Sequence, residues 1–236
     1  MPIETWFPLA IYYKDLPDAA AHRDSLLAAV LALEEAAHER RITEETAWTG
    51  DVHGVERIHD DPSFAWIVEQ LEIQTTIYLK ALGVDLNKID LYIQRSWPII
   101  SRPSQRILNH SHLNAHVSAV YYIAVPQTGD SGSLVFTNST KMNEVAPGLW
   151  ADYSSGLAES NTLNFATVNY APVEGRLVMF PAKQRHGVEA NQTEELRVSL
   201  SFDIILTSAE TSDAGLYEFL SPPPKQWKRL KNKQAL

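Results

Sequence analysis

Cysteine is absent from all 236 residues. That removes disulfides, iron–sulfur clusters, cysteine-ligated zinc and thiol nucleophiles, so any metal must rest on histidine, carboxylate or amide groups. The glycines form no phosphate-cradling loop and no Gly-x-Ser-x-Gly elbow, which leaves nucleotide-phosphate and serine-hydrolase chemistry without a local basis. No apolar run approaches the roughly 20 residues of a membrane helix, and no basic segment followed by an apolar core opens the sequence. The expectation is a soluble, cytoplasmic protein with no membrane partner. Positive charge is also scarce: 20 basic residues face 29 acidic ones, for a formal charge of −9. A general nucleic-acid surface needs clustered Lys and Arg, so nucleic acid is not an expected partner. The one locally basic run, 225–233, reads as a solvated tail or a helix lying on the domain.

What is present is a chain 44% hydrophobic, enough for a substantial core in one large β-rich domain. The expected organisation is a single domain, 1–236, with an N-terminal strand and helices over 1–85, a β-core over 86–210 and a tail over 211–236. The segment 6–13 reads as a short strand. Residues 17–41 carry Leu26, Leu27, Val30, Leu31 and Leu33 at helical spacing, with His22 and His38 expected in solvent. Pro62 opens a second helix, whose apolar residues Phe64, Ile67, Val68, Leu71, Ile77 and Leu82 run to Gly83, a C-terminal cap. The two helices are expected to pack on the sheet or to form a homodimer surface. Beyond Gly83 the strand candidates are 89–97, 106–112, 117–125, 133–136, 176–180, 187–189 and 197–206. Short strands separated by turn residues point to a sandwich or barrel. The stretch 137–170 breaks the pattern. It is polar and irregular but holds Met142, Trp150, Tyr153, Phe165 and Tyr170, as a lid over a binding site would. Gly50-Asp51-Val52-His53-Gly54, between the helices, reads as a turn or a rim contact over a site.

Three of the eight histidines fall within seven residues, in His110-Ser111-His112-Leu113-Asn114-Ala115-His116. On a strand, residues i and i+2 face the same side, so His110 and His112 would present two imidazoles together. Neutral imidazole is a common ligand for iron, zinc and copper. A lone His-x-His is also compatible with a hydrogen-bonded surface patch. The distal His186 makes the pair more specific, following the apolar strand Gly175-Arg176-Leu177-Val178-Met179-Phe180-Pro181 and preceding the strand that opens at Arg197.

The β half resembles the double-stranded β-helix (jelly-roll, cupin-like) of iron(II)/2-oxoglutarate-dependent oxygenases, and more narrowly a family of such proteins in bacteria and phages. The resemblance rests on Trp6-Phe7-Pro8-Leu9-Ala10-Ile11, Trp97, His110-Ser111-His112-Leu113-Asn114, Ser118-Ala119-Val120-Tyr121-Tyr122 (alanine in place of a glycine), 175–181, His186 and Arg197-Val198-Ser199. It implies iron(II) held by His110, His112 and His186, with O2 and the cosubstrate 2-oxoglutarate at the open positions. Arg197, eleven residues beyond His186, would hold the remote carboxylate of 2-oxoglutarate as a bidentate cation. Ser199 and Tyr122 would add hydroxyl contacts, only one of Tyr121 and Tyr122 facing the cosubstrate. The implied activity is hydroxylation of an unactivated C–H bond of an amino acid, peptide or small metabolite, with release of succinate and CO2. Desaturation, epoxidation and halogenation share its first step.

One departure is plain. Where most of the superfamily has aspartate or glutamate two residues after the first histidine, this chain has His112. Two other ligand sets stay open, His112 with Asn114 and His116 with His186. Arg102 and Arg106 are either substrate-carboxylate contacts or surface charges. Two rival functions remain, a cupin-type three-histidine metalloenzyme without 2-oxoglutarate and a metal-free jelly-roll module binding a sugar or peptide. Arg197 with Ser199 discriminates against the first, and iron affinity against the second.

Overall fold

The computed structural model describes residues 3–37, 44–146, 149, 156–210 and 218–229. His38, Trp150 and Tyr153 lie outside them. Strand β1 (Tyr12–Asp15) leads into helix α1 (Ala19–Ala36), then β2 (Trp48–Thr49) and helix α2 (Ala65–Ala81). Eight strands follow: β3 (Ile89–Ser101), β4 (Ile107–His110), β5 (Val117–Ala124), β6 (Leu134–Thr137), β7 (Thr167–Tyr170), β8 (Arg176–Pro181), β9 (His186–Val188) and β10 (Arg197–Ser208).

The strands form two sheets, a major one ordered β1-β8-β5-β10-β3-β2 and a minor one ordered β4-β9-β6-β7. All pairs of these strands are antiparallel. Period-2 alternation decides which face of the major sheet meets what. On β10, Val198, Leu200, Phe202 and Ile204 join Ala119, Tyr121 and Ile123 of β5 in the larger core, with Leu26 and Val30 of α1 and Ile67 and Leu71 of α2. The helices therefore cover one face of the major sheet. On the opposite face Tyr122, Val178 and Phe180 meet Leu134 and Phe136 of the minor sheet in a smaller cluster. The apolar content of this second cluster is low because much of that face is polar, and those polar residues form the site.

Helix α1 takes in the whole leucine pattern but ends at Ala36, before the expected bound of 41, and Leu31 remains exposed. The second helix begins as a 3-10 turn at Pro62–Phe64, where the Asp61 carboxylate accepts from the Ser63 N–H, and stops before Gly83, whose φ of 79° is the left-handed value that cap requires. His22 is not free in solvent but stacks on Trp66 with ring centroids 4.2 Å apart. Strands β2 and β7 were not legible. The first has two residues, and the second lies inside the polar stretch 137–170, where it pairs with β6 as an exposed edge. In the C-terminal run the described residues form only a 3-10 turn, Pro224–Gln226, with Lys225 paired to Glu210.

Candidate active site

Strand β4 ends at His110, earlier than the alternation suggested, and β9 begins at His186 directly opposite it in register. His112 is therefore not a strand residue. It sits in the following turn, where its N–H donates to Ala182 O at 2.9 Å. The three rings still converge, with centroids 4.5–5.2 Å apart, and offer one ligand atom each within 4.8 Å of one another.

Each ring is fixed through its Nδ1. That of His110 faces Leu108 O at 2.8 Å, that of His186 faces Gln184 O at 2.8 Å, and that of His112 faces the Asp203 carboxylate at 2.5 Å. Carbonyls and carboxylates only accept, so the Nδ1 atoms carry the protons and the Nε2 lone pairs are directed inward. Burial holds His186 far down, to about 4, and also lowers His110, so both are neutral imidazoles near pH 7. The Nε2 atoms of His110 and His112 are 3.0 Å apart. Two facing lone pairs repel unless a cation lies between them. Nitrogens about 2.1 Å from a metal and at right angles to one another would be about 3.0 Å apart. The donor set fits a metal ion of the iron or zinc type.

The other ligand sets fare differently. His116 Nδ1 accepts from the Leu206 N–H at 2.9 Å, so this ring is committed to joining its turn to β10 and lies outside the cluster. Asn114 lines the cavity but is exposed on the turn.

One cavity of about 460 Å³ contains the cluster, and its wall includes Arg197, Ser199, Ser201, Tyr122, Trp97 and Phe180. Arg197 is 2% exposed. Its Nη1 donates to Ser131 O at 2.5 Å and Gly132 O at 2.7 Å, and its Nη2 donates to Ser101 Oγ at 2.8 Å. Among the described residues no carboxylate forms an ion pair with it, and burial lowers its pKa. A buried cation with neutral partners only is costly, and an anion in the cavity would offset that cost. Ser199 lies opposite Tyr122 across β10 and β5, on the cavity side. Burial pushes the Tyr122 hydroxyl up to about 12, so it is present as a donor. Tyr121 faces the helix-side core instead.

The wall also differs from the sequence reading in two places. None of the described residues of 138–166 lines the cavity; the mouth is built by Thr46, Thr49, Asp51, Val52 and Leu108. The segment 50–54 is therefore a rim contact. Arg102 is paired with Glu34 at 2.8 Å and Arg106 with Glu45 at 3.3 Å, both outside the cavity. Besides Arg197, the arginine that lines it is Arg95, which donates to the fully buried Asp203 behind the wall at 2.9 Å; sequence reasoning missed both. The signal for Asp203 was present: Arg197, Ser199, Ser201 and Asp203 alternate with Val198, Leu200 and Phe202, which places an aspartate on the arginine's face of β10.

A family model described as "Putative 2OG-Fe(II) oxygenase" matches residues 95–203, a span that takes in all three histidines, Arg197 and Asp203. No curated protein matches the sequence. Among solved structures, the chain resembles SnoK, a non-heme alpha-ketoglutarate-dependent carbocyclase from nogalamycin biosynthesis, with 16% identity, 91% of this chain and 87% of that chain covered, and a TM-score of 0.56. It also resembles HygX from Streptomyces hygroscopicus with nickel and 2-oxoglutarate bound (12% identity, 83% and 82% covered, TM-score 0.51). A third similar structure is a Pseudomonas putida prolyl-4-hydroxylase (16% identity, 83% and 92% covered, TM-score 0.50). At such identities the likeness establishes the shared double-stranded β-helix fold.

Proposed function

We propose that the chain is a 2OG-Fe(II) oxygenase, as the family model matching residues 95–203 supports, and that it hydroxylates an unactivated C–H bond of an amino acid, peptide or small metabolite at this cavity. His110, His112 and His186 would hold iron(II), and Arg197, with Ser199 and Tyr122, the remote carboxylate of 2-oxoglutarate. Bound together with O2, iron and 2-oxoglutarate supply an oxidant for C–H bonds, with succinate and CO2 as products.

The residues of this chain bind, orient and exclude water. The Nδ1 anchors fix the three imidazoles before any ligand arrives, so little reorganisation is needed on binding. The guanidinium of Arg197 lies on the same wall as Ser199 and Tyr122, three donors suited to one carboxylate. Trp97, Leu134, Phe180 and Val188 make much of the remaining wall apolar and restrict water around the reacting groups. Thr46, Asp51, Val52 and Leu108 at the mouth would choose and orient the substrate.

The observation that carries this reading is the pairing, within one cavity, of three inward-facing Nε2 atoms with a buried arginine that has no carboxylate ion-pair partner among the described residues. A three-histidine enzyme of the cupin type has no use for that arginine. The test is an anaerobic titration of the iron(II)-loaded protein with 2-oxoglutarate, following the weak visible charge-transfer band of the chelate. Wild type should develop the band and His186→Ala should not. Tight iron binding without a band would favour the cupin-type enzyme, and absence of iron binding would favour a binding module.

A further inference from the structure

We propose that Asp203 is a positioning residue for the metal site, supplying through His112 the negative charge that the three-histidine donor set lacks. This rests on the reading of His110, His112 and His186 as the metal ligands.

The three imidazoles are not held alike. His110 and His186 each give the Nδ1 proton to the carbonyl two residues before them, Leu108 and Gln184. His112 does not follow that local pattern. Its Nδ1 meets the Asp203 carboxylate at 2.5 Å, and the same Oδ1 accepts from Ser118 Oγ at 3.1 Å. A carbonyl only orients a ring, whereas a carboxylate also adds electron density to it and makes the opposite nitrogen a stronger donor. Asp203 is fully buried, so its effect on the ring is not screened by water.

The surrounding charges leave the cluster anionic. Asp203 Oδ2 accepts from Arg95 Nη2 at 2.9 Å, and Arg95 Nη1 lies 3.7 Å from Asp51. Arg95 is shared between the two carboxylates, and of the two it is Asp203 that meets the His112 ring. The charge on Asp203 is the one a directly ligating aspartate would have contributed in place of His112. The topology permits the exchange because Asp203 has Ser118 of β5 on one side and Arg95 of β3 on the other, so two neighbouring strands hold the carboxylate against the turn that carries His112.

A purely structural role makes a different forecast. If Asp203 served only to balance Arg95, removing both charges together would restore what removing one had damaged. The experiment measures cobalt(II) dissociation constants and d–d spectra, with the thermal midpoint of the metal-free protein, for wild type, Asp203→Asn and Asp203→Asn/Arg95→Gln. The Asn side chain keeps the size and an acceptor for His112 but loses the charge. The expected result is about 10- to 100-fold weaker cobalt binding in Asp203→Asn, with the loss persisting in the double variant even as its thermal midpoint recovers. Recovery of affinity in the double variant, or wild-type affinity in Asp203→Asn, would overturn the proposal. So would a single variant that fails to fold alongside a double variant that folds and binds as wild type does. Failure of wild type itself to bind cobalt would instead count against the metal site, and hence against the proposed function.

Discussion

At the scale of single residues, Arg197 and Gly132 form a unit. The arginine is anchored on the Gly132 carbonyl, and Gly132 has a φ of 83° and no room for a side chain, because a Cβ there would lie 2.2 Å from Glu189 O. The strained φ and the backbone contact together should make Gly132→Ala cost about 2 kcal/mol or more, which a drop of about 5 °C or more in thermal midpoint would register. An unchanged midpoint would mean that the turn relaxes freely. Arg197→Ala separates binding from folding. Removing one partner of a desolvated charge pair costs about 2–5 kcal/mol, so the 2-oxoglutarate concentration that half-develops the chelate band should rise at least about 30-fold, with iron affinity changed far less. Parallel loss of both affinities would point to a damaged sheet and count against a cosubstrate role.

Among the elements, β10 shows what was legible and what was not. Its alternation is readable in the sequence, and the β-core strands appear close to where their apolar patterns place them. The end of β4 is not readable from alternation, since His112 leaves the strand to bond Ala182. The rim segment 50–54 was legible as a turn or rim contact, but Thr46 could not be placed because its contact with the cavity is made across the fold, with no periodic signal to mark it. The turn Ile58–Asp60 is fixed to β3 in the same long-range way. The Ser96 hydroxyl accepts from the His59 N–H at 3.0 Å and meets His59 Nδ1 at 2.6 Å. Burial holds the His59 pKa below its ordinary value although Asp60 pulls upward. Between the ordinary value near 6.5 and that lower value, the unfolded chain takes up a proton that the folded chain refuses. This contribution is complete above about pH 6.5 and is lost as the pH falls toward the folded value. His186 and His110 shift in the same direction, so the informative quantity is a difference. His59→Gln should reduce the fall in urea midpoint of the metal-free protein between pH 7.5 and pH 5, and an identical fall in both proteins would refute the assignment.

Across the whole molecule, the three-histidine cluster is where the two sheets are tied together. His110 and His186 belong to the minor sheet, and His112 is bonded to Asp203 of the major sheet and to Ala182, just past β8. The apolar cluster between the sheets is small, because the cavity occupies much of the space where a sandwich would bury side chains. An ion on the three histidines would add a cross-link that the core there does not provide. It would bind the folded chain far better than the unfolded one, in which nothing holds His186 near His110 across the intervening sequence. At a free concentration one hundred times the dissociation constant, such binding stabilises by about 2.7 kcal/mol. For a chain of this length that corresponds to a rise of roughly 5–10 °C in thermal midpoint. Iron(II) added anaerobically should produce this rise in wild type and little of it in His186→Ala, as followed by the loss of near-ultraviolet circular dichroism. An equal rise in the two proteins would place the stabilising ion elsewhere on the surface and detach the histidine cluster from metal binding.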